Sequence, residues 1–297
     1  MCGIMGVVCY GPKLTLHQLN CVGDLSKNLL IESQRRGSDA SGMCWLTRDK
    51  KAMMFKDNVP ARVFVNRTEF TRIANAEISY RENIRAIIGH TRAQTKGTHR
   101  DNYNNHPIVA GSVVGVHNGM ISNDDQLFSA YSDMVKRAGE VDSEIIFRLI
   151  DHYSQFYDLE GATQKASEEL TGSFSCAFIH LKRPNYLTLF GGRVPSIYLM
   201  DFKLHHAMVF ASTKQIINDA RKNNIVFREP TDAFDFSSND GVRINLETGG
   251  IHKFKTNETP ADPQEDKVKK VEDIFKSHMA GGPTPHLTTV NSGPSHN

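Results

Sequence analysis

The apolar positions of this chain fall into short runs and helical stripes. Residues 3–9 (Gly-Ile-Met-Gly-Val-Val-Cys) form a compact apolar run closed by Gly11-Pro12, which predicts a strand buried on both faces. Leu16, Leu19, Val22, Leu25 and Leu29 then recur at three- to four-residue spacing, which predicts a helix with one face inward and Thr15 as its N-cap. Further strands are predicted over residues 42–47, 84–89 and 112–116, and helices over 124–137, capped by Asn123, and 143–153. From Gly172 a second strand-rich block predicts strands at 173–180, 186–190, 196–200 and 207–211, followed by a helix over 213–221. A hairpin pairing 241–245 with 251–254 around Glu247-Thr248-Gly249-Gly250 closes the block.

Strands thus come in two blocks with helices between and after them, not in strict βαβ alternation. This predicts an α+β fold of stacked antiparallel sheets flanked by helices. Past about Lys255 the texture changes: residues 257–268 are Pro- and charge-rich, 269–279 fit a short helix, and 281–297 are rich in Gly, Pro, Ser, Thr and His. Such a stretch has too little apolar surface to order itself and is expected to be disordered. The expected organisation is one domain, residues 2–255, with a C-terminal extension, 256–297.

Composition narrows the class. Of 297 residues 39% are hydrophobic, and 35 Lys+Arg face 33 Asp+Glu, a formal charge of +2. This is globular composition with no electrostatic case for nucleic acid or an anionic membrane surface. No run approaches the roughly 18 apolar residues of a membrane-spanning helix, and the start lacks the basic n-region of a signal peptide. The five cysteines (Cys2, Cys9, Cys21, Cys44, Cys176) are an odd set without C-x-x-C spacing; reduced thiols in a cytoplasm are expected, most packed as small hydrophobes. His99, His106, His117, His205 and His206 join them in no zinc spacing, so neither a metal nor a cofactor is expected.

Cys2 differs from the rest. Removal of Met1 places a thiol and a free α-amine on one residue, and the amine, with a reference pKa near 8, can take the thiol proton. Four blocks offer help to such a nucleophile: Arg35-Arg36-Gly37-Ser38-Asp39-Ala40-Ser41-Gly42, Gly89-His90-Thr91-Arg92-Ala93-Gln94-Thr95-Lys96-Gly97, His117-Asn118-Gly119 at a strand end, and Val141-Asp142-Ser143-Glu144 at a helix start. An arginine offers a planar fork to a carboxylate. An aspartate offers a partner to an ammonium group. An Asn-Gly pair offers a side-chain amide and an unhindered backbone N–H, as an oxyanion hole requires. Singly, each has a plainer reading: His-Asn-Gly as a hairpin turn, Arg92 as a surface ion pair, Asp142 as a helix cap.

These motifs resemble the class II glutamine amidotransferases, whose glutaminase domains begin C-G-I-x-G and run through R-G-x-D-S-x-G, H-T-R-W-A-T-H-G, H-P, H-N-G-x-I-x-N and T-D-T-E. This chain reads Cys2-Gly3-Ile4-Met5-Gly6, Arg36 to Gly42, His90 to Gly97, His106-Pro107, His117 to Asn123 and Val141 to Glu144. The likeness continues through Leu170 to Phe174 and Phe210 to Thr213, over residues 2–255. It implies the four-layer αββα sandwich of the N-terminal-nucleophile (Ntn) hydrolases. It also implies roles: Cys2 as nucleophile, Asn118 and the Gly119 N–H as oxyanion hole, Arg92 with Thr95 on the glutamine α-carboxylate, Asp142 on the α-ammonium, and Arg36 with Gly37 shaping the pocket.

Two departures from the pattern matter. Ala93 stands where the family has tryptophan, which puts an ammonia channel in doubt, and Lys96 where it has histidine. The 42 residues after 255 are too few for an acceptor domain, so the ammonia is expected to pass from L-glutamine to a separate synthase protein. Such a partner is expected to dock near the polar loop 92–105, itself expected to be mobile until covered. The alternative is a free-standing thiol amidohydrolase acting on a γ-glutamyl or related amide.

Overall fold

A computed structural model describes residues 2–76, 84–192, 197–236 and 239–256; the predicted 269–279 helix and the expected disordered stretch lie outside these. Among the described residues the chain forms two antiparallel sheets. The first holds β1 (Gly3–Cys9), β2 (Ala40–Thr47), β3 (Ala52–Asp57), β4 (Ile84–Arg92), β9 (Tyr198–Phe202), β10 (Ala207–Ala211) and β11 (Asp232–Asp235), in the order β11-β9-β10-β1-β4-β2-β3. The second holds β5 (Ile108–Ala110), β6 (Val113–Ile121), β7 (Gly172–His180), β8 (Tyr186–Gly191), β12 (Asp240–Asn245) and β13 (Ile251–Lys255), in the order β13-β12-β8-β7-β6-β5. Helices α1 (Leu16–Ser33), α2 (Ala61–Phe64), α3 (Thr68–Ala74) and α7 (Lys214–Arg221) belong with the first sheet, and α4 (Asp124–Ala130), α5 (Ser143–Tyr153) and α6 (Leu159–Glu169) with the second.

Three separate apolar clusters hold these layers together. One lies between α1, α7 and the outer face of the first sheet, and another between α5, α6 and the outer face of the second. The third, with Ile4, Val8, Ile88, Val114, Val116, Ile179 and Leu189, is sealed between the sheets. This is the four-layer αββα arrangement. It explains the β1 run: side chains alternate across a strand, so Met5, Val7 and Cys9 enter the helix-facing core while Ile4 and Val8 enter the inter-sheet core.

The N-cap predicted at Thr15 forms, and Gln18 completes it as a reciprocal capping box; Thr213 caps α7. Other expectations need correction. The predicted strands 84–89 and 112–116 continue to Arg92 and Ile121, so His117-Asn118-Gly119 lies inside β6 and not at its end. Ladder pairing and burial carry the strands through polar residues that sequence reading takes as strand ends. The helix predicted over 124–137 stops at Ala130, and Asn123 gives it no side-chain cap. Instead the Asn123 amide donates to the Glu169 carbonyl (2.8 Å) and its oxygen accepts from the Thr171 N–H (2.9 Å), fastening α4 to the end of α6. Sequence periodicity does not reveal that helix, because after Leu159 its buried stripe is made of small or polar residues (Gly161, Ala162, Thr163, Gln164, Ala166).

Among the described residues no helix is long and apolar enough to cross a membrane, and no group of three or more His, Cys, Asp or Glu is placed to hold a metal ion.

Candidate active site

The site is the polar end of the inter-sheet core. On β4 the alternation that buries Ala86 and Ile88 between the sheets carries on to His90 and Arg92; on β6 the alternation of Val114 and Val116 carries on to Asn118. Cys2 shares the parity of Ile4 and Val8 on β1. β1 pairs antiparallel with β4, Gly3 opposite Thr91, and β2 pairs with β4, Ala40 opposite Arg92. The beginning of β1, the end of β4 and the beginning of β2 are therefore neighbours, and sequence segments far apart converge there.

Around Cys2 the contacts come mainly from backbone. The Ala93 N–H donates to Cys2 Sγ at 3.4 Å, and Sγ lies 3.5 Å from the Ala93 carbonyl oxygen. Arg36 Nε donates to the Cys2 carbonyl at 2.7 Å. Gly37 lies against the Arg92–Ala93 peptide so closely that a Cβ on it would sit 2.4 Å from the Ala93 nitrogen. Asp39 completes the bracket, its carboxylate accepting from the Gln94 N–H at 2.7 Å.

Burial pushes the Cys2 thiol above its ordinary pKa, while the Ala93 N–H and the nearby Arg92 charge pull the other way. At neutral pH the group is a thiol, so attack requires a base to take its proton. Cys9 and Cys44 are fully buried thiols pushed up to about 12, the packed hydrophobes the sequence predicts. All five cysteines are free, and Cys2 is the half-buried one.

Arg92 and Asp142 lie 2% and 3% exposed, which rules out the surface ion pair as an account of Arg92. Its Nη1 donates to Asn105 Oδ1 at 2.9 Å, and Nη2 to the Lys96 and Gly97 carbonyls, both at 2.7 Å. Asp142 does not cap α5 through its side chain. Its Oδ2 accepts from the Ile121 N–H at 2.8 Å, tying the residue to the end of β6. The fields of Arg92 and Asp142 both reach Cys2, so the two charges and the thiol share one neighbourhood.

Asn118 is 6% exposed, while the following Gly119 turns outward at φ +142°, where a Cβ would meet the Ser173 carbonyl oxygen at 2.0 Å. Only glycine fits that position. Thr95 stands exposed on its loop; the loop reaches Arg92 through backbone carbonyls and not through the Thr95 hydroxyl. The loop's polar side chains are also spent on its own frame: Asn105 Nδ2 donates to the His99 carbonyl, Asn104 Nδ2 to the Thr98 carbonyl, and the Gln94 amide oxygen accepts from the His99 N–H. The loop read as mobile from composition is thus a laced structure.

Sequence reasoning missed several supporting residues. Asn105 orients Arg92, and the Ala93 N–H addresses the sulfur. Three buried histidines sit behind the site. His90, pushed down to about 3 by burial, is neutral and donates Nε2–H to the His117 carbonyl at 2.9 Å, linking the two sheets. The His106 ring stacks 4.1 Å from that of His90, and His117 Nδ1 meets Ser143 Oγ at 2.7 Å. In the sequence His106 is legible only as part of the His106-Pro107 motif. The link between His90 and the residue before Asn118 has no signal in sequence, because it crosses sheets.

Comparison with known proteins agrees with this geometry. Residues 90–219 match the family model of the glutamine amidotransferase domain. The glutamine–fructose-6-phosphate aminotransferase of Legionella pneumophila is 31% identical over 193 residues, 63% of this chain and 28% of that protein. Its Staphylococcus epidermidis counterpart is 30% identical over 187 residues, 60% and 27% of the two chains. This chain therefore spans little more than a quarter of the length of these relatives. Among solved structures, the glutamine phosphoribosylpyrophosphate amidotransferase of B. subtilis superposes with a TM-score of 0.63 at 15% identity, over 86% of this chain and 49% of that one. A glutamine aminotransferase class-II domain protein of Silicibacter pomeroyi gives 0.51 at 15% identity, over 88% and 100%. These two likenesses concern the fold alone. Residues 90–219 of this chain are similar to the glutamine amidotransferase domain.

Proposed function

We propose that residues 2–255 form a glutaminase that hydrolyses the side-chain amide of L-glutamine to glutamate and ammonia through a thioester on Cys2. The observation that supports this most is the convergence of a half-buried thiol with a buried arginine and a buried aspartate at the polar end of the inter-sheet core. That set matches a free amino acid whose side chain points at sulfur. Arg92 faces the α-carboxylate and Asp142 the α-ammonium. Once Met1 is released, the Cys2 amine takes the thiol proton and Sγ attacks the amide carbon. The oxyanion is held by the Asn118 side-chain amide and the Gly119 N–H. The amine returns its proton to the departing ammonia, and water then cleaves the thioester to free glutamate and regenerate the thiol. The ammonia passes to a separate acceptor enzyme, with glutamine as this domain's own substrate and the reaction carried out in the cytoplasm.

Assay of the purified protein for glutamate release, with intact mass recorded beside it, tests the reading. The expected mass begins at Cys2, Cys2→Ala is folded but inactive, and a diazo-ketone analogue of glutamine adds covalently to residue 2. An active enzyme that retains Met1 would overturn the mechanism, and full activity on γ-glutamyl amides with none on glutamine would overturn the substrate.

A further inference from the structure

Two loops deliver the residues proposed to hold the two ends of the substrate: the loop after Arg92 and the loop before Asp142. Both are fastened to the same pair of carboxylates at the start of α4. Asp124 Oδ2 accepts from Lys96 Nζ at 2.6 Å and from Arg137 Nη2 at 3.3 Å. Asp125 accepts from Lys96 Nζ at 2.9 Å and from Arg137 Nη1 at 2.6 Å. The two carboxylates are not equivalent, since the Asp124 side chain is 5% exposed and that of Asp125 71%. An exposed pair is screened and contributes little, whereas a buried carboxylate between two cations fixes them in place.

Lys96 touches a substrate-holding residue directly, and Arg137 reaches the other through the loop that carries it. The carbonyl of Lys96 accepts from Arg92 Nη2. Arg137 donates through Nε to the Gly139 carbonyl at 2.8 Å, three residues ahead of Asp142. A second tie runs parallel to the first: Asn104 Oδ1, on the Arg92 loop, accepts from the Glu140 N–H at 2.7 Å. The clamp depends on Lys96, the position where this chain departs from the histidine of the family pattern.

We propose that Asp124 is a positioning residue that couples the two loops, so that the carboxylate-holding and ammonium-holding ends of the site are set as one unit. The proposal rests on the glutamine-site reading. Without the Asp124 charge, Lys96 and Arg137 are left facing each other across exposed Asp125 alone. They separate, and the Lys96 carbonyl is drawn off the Arg92 fork.

Asp124→Asn in the full chain tests this with two readouts, steady-state glutamine hydrolysis and amide hydrogen exchange followed by mass spectrometry. Coupling predicts a KM higher by roughly fivefold or more with kcat within about twofold. It also predicts faster exchange in both residues 94–104 and residues 138–141. In a double-mutant cycle, Lys96→Met and Arg137→Met should each raise KM, and the double variant by little more than either alone, because each breaks the same linkage. Multiplicative effects, a fall in kcat at constant KM, or faster exchange in one loop only would overturn the coupling. If the unaltered protein does not hydrolyse glutamine, that failure falls on the glutaminase reading, and the exchange data still decide whether Asp124 joins the loops.

Discussion

Strands β4 and β6 face each other across the inter-sheet core and supply opposite sides of the candidate site, yet they are built in different ways. β4 ends in Arg92, whose guanidinium is satisfied by residues that follow closely in sequence: the Lys96 and Gly97 carbonyls and the Asn105 amide oxygen. β6 carries Asn118 and Gly119, and its site segment is fixed by partners far along the chain. Asp142 takes the Ile121 N–H, Ser143 meets the His117 ring, His90 reaches the His117 carbonyl, and β7 packs under Gly119. The side that would hold substrate is a local loop motif, and the side that would stabilise an oxyanion is a tertiary construction. Changes in β6 should therefore damage fold and turnover together, while changes around β4 should be absorbed as lost affinity.

The largest expected effect is at Gly119. An alanine there meets both a backbone φ of +142° and the Ser173 carbonyl oxygen 2.0 Å from its Cβ, so Gly119→Ala should cost about 3 kcal/mol or more of stability and abolish hydrolysis. Chemical denaturation with a parallel activity assay measures both, and an active Gly119→Ala of unchanged stability would remove the contrast between the strands.

Next comes a split in kinetic constants. Asn118→Ala should lower kcat by roughly 10²–10³ with KM little changed, since its donor acts on charge that develops in the transition state. Asn105→Ala, which removes the Nη1 partner of Arg92, should instead raise KM by about tenfold with kcat nearly constant, because an arginine–carboxylate contact exists in ground and transition states alike. If both variants changed the same constant, the two strands would not divide the work.

The smallest effect is a slope with pH. His90 is pushed down to about 3, and His106 and His117 also lie below the usual 6.5, all chiefly through burial. Unfolded, each takes up a proton near pH 6.5; folded, each resists it. The unfolded chain thus binds more protons, and stability falls as pH drops below about 6.5; His90 contributes about 1.4 kcal/mol per pH unit on toward 3, and His106 and His117 act in the same direction. Denaturation midpoints between pH 7 and 5 should show the decline, with a shallower slope in His106→Asn.

Much of this was legible in the sequence, and the parts that were not share a cause. The β1 run, the Thr15 cap, α5 and the closing hairpin depend on neighbours a few residues away, so periodicity and capping chemistry reveal them. The short strands β3, β5 and β11 escaped, since three to six residues of mixed burial carry no clear alternation. The residues Cys2, Arg92, Asn118, Gly119 and Asp142 could be picked out because their combined chemistry fits a substrate with a free amino-acid head. Their neighbours Ala93 and Asn105 could not, since a backbone N–H or a single amide has no distinctive letter.

Sequence by itself therefore determined the buried first strand, the first helix and its cap, the two-block α+β plan, and which side chains are candidates for the chemistry. These are local properties of period, propensity and functional group. Only the tertiary structure decided that the polar ends of β1, β4 and β6 meet at one end of the inter-sheet core. The same holds for Asp142, which holds a β-strand amide instead of capping its helix, and for Asp124, which joins two loops. Each of these depends on which strand pairs with which and on which residues exclude water together, and burial of that kind is a property of the assembled layers, not of any stretch of chain.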